Sequence, residues 1–383
     1  MKLLVISHTP HYLKDNQIVG WGSTVREIDQ LATLFDEVVH LAPLHSEKDP
    51  GSSLPYQSFN VRFCAVRPAG GDSLWKKFQV GYRIPEYIRA MIKEIRTADI
   101  IHVRTPAAIS LLALILLIFS KQPAYRWVKY AGNWNPQRGE PLTYRMQRWI
   151  IKKNFYHGIA TINGKWPNQP NHIRSFYNPC LTKEEVISAR KIADEKKLTK
   201  PYQILFVGRL ESAKGADKLP EIISELLKEK VNFHLSIIGD GPEHDRIKEF
   251  GQENQIEDKI TFTGWLKREN LSDHYAKAHF LLLPSNTEGW PKVLSEGMAF
   301  GVVVLASKVS CIPQILAETD AGVSIEPTDL NLYTKTILHL VKNPHEWYEK
   351  SHNAAISGKL FSYTNYLAKL KQLFSETWKI NLN

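Results

Sequence analysis

The sequence predicts an α/β protein of two domains, each built on a parallel sheet. Three observations carry this. Apolar, strand-like segments alternate with segments of helical spacing, the pattern that lays helices over a parallel sheet. The length, 383 residues, suggests two domains rather than one. A polar, charged stretch at residues 181–200 divides the chain near its middle. The composition, 43% hydrophobic and 23% charged, is that of an ordinary globular chain. The three cysteines, Cys64, Cys180 and Cys311, are widely spaced. That supports neither a disulfide framework nor a C-x-x-C site and fits a reducing cytosol. The opening MKLLVISHTP is too short an apolar run for a signal peptide and reads as a strand. The longest apolar run, Ala107–Phe119, has 13 residues, short of the ~20 that cross a bilayer, and reads as a buried helix.

The charge is uneven. Residues 1–180 hold 23 Lys and Arg against 12 Asp and Glu, a net of +11; the remainder holds 26 against 27. The excess concentrates in two segments. Trp75–Arg96 carries Lys76, Lys77, Arg83, Arg89, Lys93 and Arg96. Lys121–Lys153 carries eight basic residues opposed only by Glu140, and includes Trp127, Trp134 and Trp149. Such a face is either a solvated surface that aids solubility or an attraction for an anionic membrane surface or anionic acceptor. No nucleic-acid motif accompanies it, so nucleic acid is not the expected partner. His40, His45 and His157 lack metal-ligand spacing and read as structural or surface residues. No D-x-D triplet, a spacing at which two carboxylates can share a divalent metal, occurs.

In chain order, Lys2–His8 reads as a strand, Asn16–Ser23 as a glycine-containing loop and Thr24–Phe35 as a helix. Strand, glycine loop and helix together can cradle an anion, although a lone G-x-G also fits a plain tight turn. Glu37–Ala42, Val61–Arg67, Ile100–Arg104, Trp127–Ala131, Gly158–Asn163 and His172–Tyr177 read as further strands. Ligands of such sheets gather at the carboxyl ends of strands. Those ends hold His8, His102 and Arg104, then Asn133. His102 is either near a reacting group or a hydrogen-bonded core imidazole. Asn133 and Trp134 either touch an acceptor or pack their loop. Thr182–Lys200 reads as a helix plus linker.

The second half carries the motifs. The strand in QILFVGRLESAKG runs into Gly208-Arg209, with Lys214 five residues on. Two cations at the end of a parallel strand can clamp a diphosphate, Arg as a bidentate donor and Lys as a point charge. The alternative is a basic loop capped by Glu211. Phe233–Asp240 leads into Gly239-Asp240-Gly241-Pro242, a turn signal. Ile260–Trp265 is a strand, and Trp265 either packs in the core or shields a ligand. In LPSNTEGWPKVLSEGMAFGVVVLAS, Glu288 stands in a turn and Glu296 eight residues on, within a helix. Pro291 is tolerated in the first helical turn. The Lys292 and Val293 N–H groups then face an incoming anion. Glycines at 289, 297 and 301 allow close approach of backbone and ligand. Two carboxylates beside an anion site suit adjacent hydroxyls; singly, Glu288 is also a dipole-favoured helix carboxylate and Glu296 a solvated one. Val302–Ser307 and Val323–Glu326 complete the sheet. Tyr363, Leu367, Leu370, Phe374 and Trp378 form an apolar stripe on a terminal helix.

These motifs resemble the family-4 retaining glycosyltransferases of GT-B fold, strongly over about residues 200–330 and more weakly before. The resemblance implies two Rossmann-like domains facing each other across a cleft. Residues 1–180 would be the acceptor-binding domain, 181–200 a linker, 201–356 the nucleotide-sugar domain and 357–383 a helix crossing back to the first domain. It implies that Glu288 contacts the donor sugar and Glu296 the nucleotide ribose. Arg209 and Lys214, in the G-R-x4-K pattern opened by Gly208, would clamp the diphosphate with the Lys292–Val293 amides and the Gly22 amide. Gly241 would lie beside the nucleotide, and the Trp265–Leu266 backbone at its base. The family's H-x-H place reads His102-Val103-Arg104 here, so its second His is replaced. The implied activity is transfer of a sugar from a UDP- or GDP-sugar to an acceptor hydroxyl, with retained configuration and neither metal nor cofactor. The acceptor would be lipid-linked or anionic, in surface-polysaccharide or glycolipid assembly at the inner face of the cytoplasmic membrane. A GT-B epimerase or phosphorylase, or a scaffold that binds sugar nucleotide without turnover, shares the fold. The epimerase would need acid and base carboxylates of its own, and the phosphorylase a pyridoxal phosphate lysine.

Overall fold

The computed structural model describes residues 1–69, 74–136 and 139–382. The side chains of Trp75, Lys76, Lys77 and Arg138, counted above in the basic segments, lie outside the described residues. The chain divides into two compact units, Met1–Tyr177 with Tyr366–Asn383, and Asn178–Asn365.

In the first unit the strands are β1 (Lys2–Ile6), β2 (His11–Lys14), β3 (Gln17–Trp21), β4 (Glu37–Pro43), β5 (Ser53–Pro55), β6 (Val61–Val66), β7 (Ile100–Thr105), β8 (Tyr125–Tyr130), β9 (Ile159–Ile162) and β10 (Ile173–Ser175). Its helices are α1 (Gly22–Ala32), α2 (Leu74–Ile95), α3 (Ala108–Phe119) and α4 (Leu142–Lys153). A parallel seven-stranded sheet has the order β10-β9-β8-β7-β1-β4-β6. β1 reads KLLVI without alternation because both sheet faces are covered. Leu4, Ile6, Ile101 and Val103 face one core with Met91, Leu114 and Ile151. Leu3, Val5, Ile100 and Trp127 face the other with Ile28, Leu31, Tyr366 and Phe374.

In the second unit the strands are β11 (Tyr202–Val207), β12 (Phe233–Ile238), β13 (Ile260–Gly264), β14 (Phe280–Leu283), β15 (Val303–Ser307) and β16 (Gly322–Ile325). Its helices are α5 (Lys183–Asp194), α6 (Leu219–Lys228), α7 (His244–Glu253), α8 (Arg268–Lys277), α9 (Lys292–Ala299), α10 (Ile312–Thr319), α11 (Asn331–Lys342) and α12 (Pro344–Ser357). The sheet order β13-β12-β11-β14-β15-β16, all parallel, is the 3-2-1-4-5-6 order of a Rossmann sheet. Its direction of winding reverses between β11 and β14, so their carboxyl ends flank the crevice where such sheets hold ligands. The final helix, α13 (Tyr363–Trp378), counts with the first unit from Tyr366 onward.

The structure corrects four expectations. Asn16–Ser23 is not a loop. Asp15 and Asn16 both take positive φ, 47° and 61°, and make the two-residue turn of a β2–β3 hairpin. Gly20 then sits opposite His11, where a Cβ would fall 2.4 Å from the His11 ring. Residues 181–200 are not merely a linker: Thr182 and Glu185 form a reciprocal capping box that starts α5, inside the second unit. The Ala107–Phe119 run is fully buried along one face, through Ile109, Ala113, Leu114 and Leu117, but only half-buried along the other, where Leu111, Leu112, Leu116 and Ile118 still pack on the core, and Phe119 at its end is 84% exposed. Gly297 and Gly301 serve packing within the protein. Added Cβ atoms there would lie 3.0 Å from Leu281 and 2.9 Å from Ser351.

Candidate functional site

The second unit gathers its motifs at the carboxyl ends of β11 and β14. Beyond β11 the chain crosses the turn after β12 at close range. Gly208 N–H donates to the Ile238 carbonyl at 2.9 Å, and Leu210 N–H to the Asp240 carbonyl at 3.0 Å. Gly239, at φ 128°, lies so near that a Cβ would fall 1.9 Å from the Gly208 carbonyl. Gly241 likewise lies against the Leu210 carbonyl, 2.5 Å from where its Cβ would be. Its glycine identity is therefore set by two backbone segments crossing, before any ligand is considered.

The loop after β11 is stitched to the loop after β14. Asn286 N–H donates to the Ala213 carbonyl at 3.1 Å, and the Asn286 amide to the Ser212 carbonyl at 2.7 Å. Lys218 Nζ donates to the Pro284 and Pro327 carbonyls at 2.9 and 3.1 Å. Gly215, at φ 73°, lets the chain pass where a Cβ would sit 2.1 Å from the Pro284 carbonyl. This stitching brings Lys214 to Glu288: Nζ stands 2.9 Å from both carboxylate oxygens. Ser285 Oγ donates to Glu288 Oε1 at 2.9 Å. Glu288 is buried and Lys214 half-buried. Arg209 stands in the same loop, 62% exposed, with Nε 3.1 Å from Glu211. The expected cation pair is thus present after β11, each member held by a carboxylate.

Helix α9 opens at Lys292–Val293 with Pro291 as N-cap and no side-chain cap. Trp290 is buried, its indole N–H bonded to Ser295 Oγ at 3.0 Å. Glu296 is not a solvated helix residue. Its carboxylate is held by the Arg268 guanidinium and by the Tyr275 hydroxyl, which donates at 3.0 Å. Arg268 also reaches the Cys180 carbonyl at 2.7 Å and Glu185 at 3.3 Å. The neighbouring carboxylate raises the Tyr275 pKa further above the range to which burial has already pushed it. Trp265 is 65% exposed at the carboxyl end of β13, so core packing is excluded, and Leu266 is half-buried beside it.

In the first unit the placements differ more. The Gly22 N–H, expected to face a diphosphate, donates to the Ser52 carbonyl at 3.3 Å because β5 packs over the start of α1. His102 does not stand at a ligand-facing strand end. Strand alternation turns it into the core with Ile100, where it stacks on Trp127 at 3.6 Å between ring centroids. Among the described residues neither of its ring nitrogens meets a hydrogen-bond partner of normal length, so the ring is held chiefly by its stacking on Trp127. Burial, then the nearby Arg104 charge, lowers its pKa well below 6.5. Arg104 lies one residue before the end of β7 and binds Glu27 through both terminal nitrogens, at 2.7 and 3.2 Å. Lys129 Nζ shares that carboxylate at 2.6 Å. Asn133 accepts the Asn135 N–H at 3.1 Å and Trp134 packs edge-on to Tyr130, both in loop-packing roles.

A closed hydrogen-bond circuit fixes the loop after β1. His11 Nδ1 lies 2.9 Å from the Thr9 carbonyl, which only accepts, so this nitrogen carries the proton. Tyr56 then donates to His11 Nε2 at 2.7 Å and accepts from His40 Nδ1 at 2.5 Å. Ser7 Oγ donates to His40 Nε2 at 2.7 Å and accepts the Thr9 N–H at 3.1 Å. Every group is satisfied with both imidazoles neutral.

Sequence reasoning missed Arg268, Tyr275, Glu27, Lys129 and this circuit, all of which depend on contacts distant in sequence. Ser285 carried a signal: Ser-x-x-Glu is capping-box spacing. Among the described residues no group of three or more His, Cys, Asp or Glu side chains is placed to hold a metal ion. No helix among them is long and apolar enough to cross a membrane.

Residues 188–360, just under half of the chain, match the family model of glycosyl transferases group 1. An uncharacterized glycosyltransferase of Haemophilus influenzae is 24% identical over 76% of this chain and 80% of its own length. The lipopolysaccharide 1,6-galactosyltransferase of Escherichia coli is 27% identical, over 41% of this chain and 43% of its own. HepE of Anabaena, solved in complex with UDP, covers 98% of this chain and all of its own at a TM-score of 0.69 and 13% identity, a likeness of fold. The fold is GT-B, with two Rossmann-like halves. Together the fold and the family match support a group 1 glycosyltransferase.

Proposed function

We propose that this chain is a retaining glycosyltransferase that moves a hexose or related sugar from a UDP- or GDP-sugar to an acceptor hydroxyl without a metal. The observation that carries the reading is the Lys214–Glu288 contact at the point where the second sheet reverses its winding. The ammonium has three donors and directs two at Glu288, so its third can meet a phosphate oxygen. Arg209, Lys214 and the amino end of α9 would stabilise charge developing on the departing diphosphate. Glu288 would accept hydroxyls of the donor sugar and Glu296 those of the nucleotide ribose, each carboxylate oriented by the protein partners described above. Trp265 would cover the base from its exposed position, with the Leu266 backbone beside it. The leaving phosphate would take the acceptor proton. His102 and Arg104 would act indirectly on the acceptor side, His102 by packing on Trp127 in the core and Arg104 by its tie to Glu27.

The lipopolysaccharide enzyme among the relatives and the basic first unit support an acceptor that is lipid-linked or anionic, in surface-polysaccharide or glycolipid assembly. The test is transfer from a panel of UDP- and GDP-sugars in the presence of EDTA, with the product anomer read by NMR. Transfer with retention, lost on Glu288→Ala, is the expected result. Full activity in Glu288→Ala, or interconversion of the sugar nucleotide without acceptor, overturns the reading.

A further inference from the structure

One side of the first sheet is covered by α2, α3 and α4, with α3 packed against both others. Their inward residues, among them Met91, Leu114 and Ile151, belong to the core. The outward side of this layer is unusual for a water-facing surface. The central helix α3, AISLLALILLIF, has no charged residue, and its end exposes Phe119. Helix α4 exposes Leu142 (75%), Met146 and Trp149 (53%). These lie four and three residues apart, so they form one stripe along the helix. Trp149 stands edge-on to Phe155, itself exposed, at 4.9 Å. Helix α2 exposes Tyr82, Ile84 and Ile92.

Basic side chains flank this apolar strip. Arg145, Lys152 and Lys153 are exposed on α4, Arg89 and Lys93 on α2, and Arg96 in the turn that follows it. The acidic residues of the layer are engaged: Glu94 is buried against Arg62, Glu140 is paired with Arg148, and Glu86 meets Arg83 and the Arg67 N–H. An uncharged central helix between two basic rows, with Trp, Tyr and Phe at the margins, matches the cross-section of a lipid interface. Apolar side chains enter the acyl boundary, aromatic rings sit at headgroup depth and cations meet lipid phosphates. A second copy of the chain fits less well, because a two-fold interface sets each patch against itself and would bring basic rows face to face.

We propose that the outer face of the α2–α3–α4 layer docks on an anionic phospholipid surface, with the Leu142–Met146–Trp149 stripe inserted and Lys152 and Lys153 on the phosphates. The docking does not depend on the reaction proposed above, and it can be read without turnover. The experiment is co-sedimentation of the full chain with phosphatidylcholine vesicles containing about one third phosphatidylglycerol, at low and high salt. Vesicles of phosphatidylcholine alone are the control. The expected result is binding to the anionic vesicles that salt weakens. The double variant Lys152→Glu, Lys153→Glu should lower it by roughly thirtyfold, about fivefold for each cation lost. The triple variant Leu142→Ser, Met146→Ser, Trp149→Ser should abolish it while keeping the thermal unfolding midpoint, since the stripe is exposed. Absence of vesicle binding at low salt overturns the proposal. So does binding that both variants retain, or a concentration-dependent dimer that the triple variant dissolves in a chain that ignores vesicles.

Discussion

Lys214 stands 2.9 Å from both oxygens of Glu288, across 74 residues of sequence, and the contact is built by backbone bonds between the loops after β11 and β14. A cation beside a carboxylate in a sheet crevice is stable before any ligand binds, and each charge keeps the other in the site.

This pair should be coupled. Lys214→Met leaves a buried carboxylate with Ser285 as its remaining described donor, and is expected to lower stability by about 1–3 kcal/mol. Glu288→Gln should cost less, because Lys214 is half-exposed and can turn to water. A double-mutant cycle in urea, read as the non-additive part of the three variants, checks this. Additive losses would mean that the contact contributes nothing to folding.

Tyr56 is the hinge of the circuit around β1, since its hydroxyl serves both His40 and His11. Tyr56→Phe removes the hydroxyl that pairs with His40 Nδ1 and His11 Nε2 in a buried setting. The expected loss is about 1–3 kcal/mol, seen as a lower thermal midpoint. A Phe variant as stable as the parent would show that the bonds form no cooperative unit.

Acid should destabilise the chain early. Burial lowers His11 and His279 to about 4 and holds His40 and His102 well below 6.5. The unfolded chain takes up these protons near pH 6.5 and the folded chain only at lower pH. The stability of the neutral forms is therefore full above about pH 6.5. It is lost as pH falls from there through about 4, at about 1.4 kcal/mol per pH unit for each imidazole. Thermal midpoints measured from pH 8 to 4 should be flat and then fall. A His40→Gln variant should start lower and fall less steeply.

The fold was largely legible in the sequence. Apolar runs such as KLLVI and QILFV announced the parallel strands, and each lies within two residues of its expected place. The motif positions Lys214 and Glu288 were legible because loop chemistry at strand ends is local in sequence. What escaped was pairing. Nothing around Arg268 announces that it will reach Glu296, or around Glu27 that it will gather Arg104 and Lys129, because these contacts exist only once helices pack. Gly22 misled for a related reason: the turn at Asp15–Asn16 converted the expected loop into a hairpin, and β5 then took its amide.

A metal-free diphosphate site at Lys214 is read by thermal stability against UDP, GDP and ADP, each with and without EDTA. One nucleotide, at about 100 times its dissociation constant, should add roughly 2.7 kcal/mol. EDTA should leave that shift unchanged, and Lys214→Met should remove it. No shift with any of the three, or a shift that EDTA abolishes, would contradict such a site.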